Sequence, residues 1–197
     1  MDLPDGYLDL RPGKIANVVT NLEMFERPPI REDPPGVRAT LRRVEKPDLH
    51  WYRGLFHRVG DAFLWFSRLV MDDAALRAIL DDPLVEVYAV DRDGAEEGML
   101  ELDFRVPGEC EITYFALTEK LVGTGTGRWL MNRALGIAWA RPLRRMWVHT
   151  CTLDHPNAVA FYVRSGFRPF KRQIEIADDP RATGVVPAGA APHVPVL

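Results

Sequence analysis

Three glycines at alternate positions, Gly123, Gly125 and Gly127, join an apolar segment, Ile112-Thr113-Tyr114-Phe115-Ala116-Leu117, to a helical pattern that begins at Arg128-Trp129-Leu130-Met131. Residues without a Cβ let consecutive main-chain N–H groups close on an anion, at the end of a helix where the dipole is positive. The chemistry on offer is a cradle for a diphosphate, built from the amides of Gly123, Thr124, Gly125, Thr126, Gly127 and Arg128. An ordinary tight turn is the competing reading. The spacing is not that of a P-loop, because Arg128-Trp129 stands where Lys and Ser/Thr are needed. Nor is it a dinucleotide fingerprint, whose third glycine would fall at Arg128.

A second segment, Asp154-His155-Pro156-Asn157-Ala158-Val159-Ala160-Phe161-Tyr162-Val163-Arg164-Ser165-Gly166-Phe167, follows downstream. Together the two resemble the GNAT superfamily of acyl-CoA-dependent N-acetyltransferases. Its motifs read Gln/Arg-x-x-Gly-x-Gly/Ala and, later, an Asn-rich turn, a helix bearing Ala and Tyr, and Gly-Phe. Val122 falls at the Gln/Arg position, Gly125 and Gly127 at the small positions, and Tyr162 with Gly166-Phe167 at the later signature. The resemblance spans residues 85–176. Val122 departs from it, and so does His155, which stands where Asn is usual, with Asn157 two places on.

The resemblance implies acetyl-CoA as co-substrate, a small-molecule primary amine as acceptor, and direct attack without a covalent enzyme intermediate. It also implies that the strands at 111–117 and 146–152 diverge, so that main-chain groups of Phe115, Ala116 and Leu117 hold the acyl arm and the oxyanion. Val122 and Asn157 then join the cofactor site. Tyr162, protonated at neutral pH, is the candidate acid for the departing thiolate. Glu111, slightly ahead of His149, is the candidate base. Each of the three also has a plain structural reading, as a core aromatic, a solvated strand-edge acid and a strand histidine. Cys151 as an acyl carrier is disfavoured, because nothing adjacent lowers its pKa. A non-catalytic acyl-CoA-binding or sensing module is the alternative function.

Length and charge narrow the field further. The 197 residues suit one domain with decorated ends: an N-terminal extension over 1–36, an acetyltransferase-like domain over 37–176 and a tail over 177–197. Net charge is −3, from 25 Lys and Arg against 28 Asp and Glu, which gives no basic field for nucleic acid. There is no apolar run long enough for a membrane span and no leader pattern at Met1-Asp2-Leu3, so the expected location is cytoplasmic. No metal is expected. Two cysteines, Cys110 and Cys151, do not suggest a disulfide framework. A homodimer through the last strand or the N-terminal lead is compatible with the sequence.

Periodicity supplies the elements that must position these residues. A short strand is expected around 15–22 and an alternating one over 37–44, then helices opened by Pro47-Asp48 and by Asp72-Asp73. Between those helices lies an aromatic cluster, Phe63-Leu64-Trp65-Phe66, read as core or as the wall of an acceptor pocket. Strands at 85–90 and 98–104 flank an Asp-Gly turn and lead into 111–117, a meander. A helix from Gly127 to Arg141-Pro142, a strand at 146–152, a helix over 157–165 and a strand at 167–176 complete a mixed α/β fold with a central mixed sheet. Glu101, Asp103 and Glu111 are read either as selectors of a cationic amine or as solvated strand faces. Asp154 is read as a cap for the helix that follows it.

Overall fold

The structure, a computed structural model, describes residues 5–196. Its strands are β1 Lys14–Met24, β2 Thr40–Val44, β3 Val85–Arg92, β4 Ala95–Asp103, β5 Glu109–Leu117, β6 Arg145–Cys151 and β7 Arg168–Asp178. The helices are α1 Leu49–Gly60, α2 Asp73–Leu80, α3 Thr126–Ala138 and α4 Ala158–Arg164. All seven strands form one mixed sheet in the order β2-β3-β4-β5-β6-β1-β7.

The two-residue alternation of the strands sorts their side chains onto two faces. Val90, Leu100, Leu102 and Ile112 pack with Leu130, Ala134 and Ala138 of α3 and with Tyr162 of α4. Val87, Ala89, Met99 and Ala116 pack with Tyr52, Leu55 and Phe56 of α1 and with Leu76 and Leu80 of α2. The meander thus has helices on both sides. Asp48 caps α1, its carboxylate accepting from the amides of His50 and Trp51 at 2.9 and 3.1 Å, and Asp72 caps α2. The β3–β4 hairpin closes on Asp93-Gly94, both at positive φ, as the Asp-Gly pair predicts.

The strand expected near 15–22 is longer than its apolar run. It is internal to the sheet, paired antiparallel to β6 on one side and to β7 on the other. Nothing local in the sequence specifies such a partner, because pairing between residues more than a hundred positions apart leaves no period of its own. The tail after β7 is strapped down: Val186 and Ala191 pack with Ile15, Leu64 and Leu153, and Arg181 bonds Asp179 and the carbonyl of Val194.

Strands β5 and β6 run parallel, but they pair only from Glu109↔Arg145 to Ile112↔Val148. Beyond that they separate. At the same level the β4 register skips Thr113, so that Ile112 opposes Leu102 and Tyr114 opposes Glu101. This bulge bends β5 away from β6, and the helical connection through α3 cannot refill the gap with a strand.

Glu101 belongs to neither of the readings given for it. It is fully buried, accepts from the Tyr52 hydroxyl at 2.6 Å and from Arg68 Nη2 at 2.5 Å. Arg68 lies in the loop between α1 and α2, so the pair fastens that loop to the sheet. Asp103 is paired with Arg105. Removing the cation from a buried pair leaves an uncompensated charge, so Arg68→Met is expected to destabilise the protein by about 3–5 kcal/mol. Loss of the exposed Arg42–Asp91 pair should cost less than about 1 kcal/mol. Urea unfolding midpoints of the two variants, side by side, check the difference.

Candidate active site

A cleft of about 510 Å³ opens where β5 and β6 part, between the Gly123–Gly127 turn, the N-terminal part of α3 and one side of α4. Of the residues singled out in the sequence, Phe115, Ala116, Leu117, Val122, Gly123, Gly125, Gly127, Arg128, Asn157, Tyr162 and His149 all line it. Thr124, Thr126 and Glu111 do not. The Thr124 hydroxyl bonds the Leu121 carbonyl at 2.8 Å and the Thr126 hydroxyl at 2.7 Å, and Thr126 is buried, so both threonine side chains hold the turn together from behind.

The amides of Gly123, Gly125, Thr126, Gly127 and Arg128 find no acceptor among the described residues; the first closed bond of the helix is Trp129 N–H to Gly125 O at 3.2 Å. Those donors are the orphans of a helix start. Two neighbours are not available. Val122 N–H donates to Glu119 O at 3.1 Å and Thr124 N–H to Leu121 O. The Val122 side chain is half exposed on the cleft wall and offers only an apolar surface.

Gly125 has φ +85°, and a Cβ there would lie 2.7 Å from the Pro34 ring, so glycine is required twice over. Gly127 is helical, and a Cβ on it would meet only ordinary contacts with Phe161 and Leu117. Arg31, Arg128 and Arg164 line the cleft, and none of them takes part in an ion pair among the described residues. Arg31 and Arg164 carried no sequence signal, being single arginines in unremarkable contexts.

Just past the end of β5, Thr118 N–H donates to Glu97 O on β4 at 2.9 Å. Strand alternation therefore turns the amides of Ala116 and Tyr114 toward β4 as well, and those of Phe115 and Leu117 toward the gap. The Ala116 carbonyl follows the same rule, lying 2.8 Å from where a Cβ on Gly98 would sit. Ala116 thus lines the cleft by position but spends its main-chain groups on the neighbouring strand.

Tyr162 is held by three rings, Phe115 at 6.3 Å, Phe161 at 5.5 Å and Phe167 at 5.9 Å between centroids. Its hydroxyl has no hydrogen-bond partner among the described residues. Burial, reinforced by the negative charge of Asp154, pushes its pKa well up, so it stays protonated at any physiological pH. His149 Nδ1 lies 3.3 Å from Glu111 Oε1. That hydrogen bond, against an opposing effect of burial, raises the His149 pKa, with the charges of Glu111, Asp154 and Glu175 adding to it.

Asp154 does not cap the following helix. Its Oδ2 accepts from Thr150 Oγ1 at 2.7 Å and from Cys151 N–H at 2.8 Å, while Oδ1 accepts from the Trp65 indole at 2.9 Å. The carboxylate closes the end of β6 and ties the aromatic loop to it. Phe63 and Trp65 stand on the cleft wall, so that part of the cluster is at the site rather than deep in the core. Cys151 has its thiol pushed up to about 11 by burial and then by Asp154, which makes it inert as a nucleophile. Among the described residues no group of His, Cys, Asp and Glu is arranged to hold a metal ion, and no helix is long and apolar enough to cross a membrane.

A mixed sheet parted at its centre, with unclaimed amides at a helix start on one side of the fissure and a protonated tyrosine on the other, is the architecture of an acyltransferase domain. Residues 49–167 match the family model described as Acetyltransferase (GNAT) family, and the chain belongs to that family. No curated protein sequence matches it.

Among solved structures it is similar in fold to a GCN5-related N-acetyltransferase from Sphaerobacter thermophilus, at 17 % identity and TM-score 0.62, covering 85 % of this chain and 52 % of that one. An acetyltransferase from Thermus thermophilus is also similar, at 18 % identity and TM-score 0.52, covering 72 % of this chain and 98 % of that one. A third, an aminoglycoside acetyltransferase from an uncultured soil metagenomic sample, has 19 % identity and TM-score 0.55, covering 68 % and 95 %. The chain spans about half the length of the Sphaerobacter protein and 63 % of a similar Staphylococcus epidermidis protein.

Proposed function

We propose that the protein transfers an acetyl group from acetyl-CoA to the primary amine of a small molecule. The observation that carries this reading is the set of unclaimed amides from Gly123 to Arg128 beside an open strand gap. A diphosphate satisfies those donors, and Arg31, Arg128 and Arg164 supply the counter-charge. The Phe115 and Leu117 main-chain groups that β6 leaves unpaired receive the acyl arm as a partial extra strand, with a donor for the oxyanion at the same edge.

The amine must arrive neutral. His149, with Glu111 as its positioning residue rather than as the base itself, takes a proton from the ammonium. The nitrogen lone pair then attacks the thioester carbonyl, the C–N bond forms, the C–S bond breaks and Tyr162 gives its proton to the departing thiolate, while the second proton shed by the acylated nitrogen restores the Tyr162 hydroxyl. No covalent enzyme intermediate is needed. Glu111 yields first place because it stands behind His149 and off the cleft wall.

A base acts only when unprotonated. Because the His149 pKa is raised, kcat/KM is expected to climb with pH through a limb above the ordinary histidine value of 6.5. Glu111→Gln removes the largest cause of that shift and should move the limb to lower pH; a limb unmoved in the variant would take His149 out of the base role. The transfer itself is tested by thiol release from acetyl-CoA with a panel of amines, an aminoglycoside among them, alongside CoA binding. Binding without amine-dependent release would make the domain a CoA-binding module instead.

A further inference from the structure

Beyond the bulge at Thr113 the cleft continues into a smaller chamber of about 150 Å³. Phe63, Trp65, Thr113, His149 and Asp154 line both spaces. The reacting amine has to sit at that shared boundary, since it must reach both the thioester and His149. Whatever else the acceptor carries must therefore extend into the chamber.

The far wall comes from the N-terminal strand β1 and from β7, which meet at Asn17↔Glu175. Asn17 is 4 % exposed and its side-chain amide N–H donates to Glu175 Oε2 at 2.9 Å, while its side-chain carbonyl oxygen is buried with no donor among the described residues. Thr113 Oγ1, at the near end, is likewise buried without a partner among the described residues. Glu175 forms no ion pair among the described residues, and no Lys or Arg lines the chamber. Phe66, Trp65 and Tyr114 make its sides apolar.

A buried carbonyl oxygen without a donor costs about 1–3 kcal/mol, and beside it the exposed Glu175 carboxylate is an acceptor with no ion-pair partner among the described residues. A ligand that brings N–H donors and positive charge corrects both at once. A void of about 150 Å³ admits an object about the size of benzene, hence a short alkyl spacer and one small charged head.

We propose that the chamber is a subsite for a second cationic group of the acceptor, read by Asn17 and Glu175, so that the substrate is a short diamine and not a simple monoamine. This rests on the acetyl-transfer reading above. The second ammonium takes no part in the chemistry; it anchors the molecule so that the other nitrogen lies at the boundary.

The test is a matched pair, 1,4-diaminobutane and pentylamine, with acetyl-CoA and the intact protein, together with Glu175→Gln and Asn17→Leu. Wild type is expected to favour the diamine in kcat/KM by at least about tenfold, the worth of one charge-assisted hydrogen bond. Glu175→Gln should erase that preference by raising KM for the diamine and not for pentylamine, with acetyl-CoA affinity unchanged, when the two amines are compared on the pH plateau above the His149 limb, because losing the Glu175 charge also lowers the His149 pKa. Equal use of the two amines by wild type, or an equal loss on both in Glu175→Gln, overturns the subsite while leaving acetyl transfer in place. Failure of the wild type to bind acetyl-CoA, read separately by calorimetry, overturns the underlying reading and the subsite with it.

Discussion

Tyr162→Phe is expected to lower turnover at saturating acetyl-CoA by about 10²-fold or more, the usual contribution of a positioned general acid, while acetyl-CoA binds as before. Three surrounding rings, Phe115, Phe161 and Phe167, fix the side chain, and phenylalanine preserves every one of those contacts. Only the hydroxyl is lost. That hydroxyl has no hydrogen-bond partner among the described residues to leave unsatisfied, so the fold should not register its removal. Burial keeps it protonated throughout the working range, which leaves it suited to giving a proton and unsuited to taking one. Steady-state kinetics and calorimetric titration on the same preparation separate the two effects. Unchanged turnover would reduce Tyr162 to packing.

Placing a carboxylate in the glycine turn should have the opposite signature. Gly127→Asp adds a Cβ that meets only ordinary contacts and a charge that faces where the diphosphate would lie. Like charges forced together in a cleft cost several kcal/mol, so acetyl-CoA affinity is expected to fall by at least about 10²-fold, with thermal stability close to wild type. Gly125→Asp should abolish binding too, but for a mixed reason. It adds strain at φ +85° and a clash with Pro34 to the same charge, and its melting temperature should drop. Gly127→Ala, which changes neither charge nor backbone, should bind nearly normally. If Gly127→Asp bound as tightly as Gly127→Ala, the diphosphate would have to lie elsewhere.

Much of this is legible in the sequence itself. The alternating strands, the Asp-Gly hairpin, the capped helices and the glycine turn all write their geometry into neighbouring residues, where propensity and period act. The residues of the second signature were equally visible, because Tyr162 and Gly166-Phe167 sit within one helix and its end.

What stayed hidden depends on contacts between distant segments. The insertion of β1 between β6 and β7 is one case; a strand run declares that it will pair but not with what. Asp154 is another: next to a helix it reads as a cap, yet the deciding partners are Thr150, Cys151 and Trp65, the last of them in a different loop. Glu101 reads as one acid in an alternating strand, and only the packing of Tyr52 and Arg68 over it reveals a buried pair. The bulge at Thr113, which aims the strand at the cleft, carries no glycine or proline to announce it. The order between Glu111 and His149 likewise follows from which side chain reaches the cleft wall, and a strand pattern does not encode that.

The most direct test is an amide-resolved NMR titration of the protein with acetyl-CoA. The largest shifts should fall on Gly123, Gly125, Thr126, Gly127 and Arg128, with a second group at Phe115 and Leu117, and Val122, Thr124 and Ala116 should respond less because their N–H groups are already bonded. Shifts confined to another face of the sheet, or none at millimolar ligand, would contradict it.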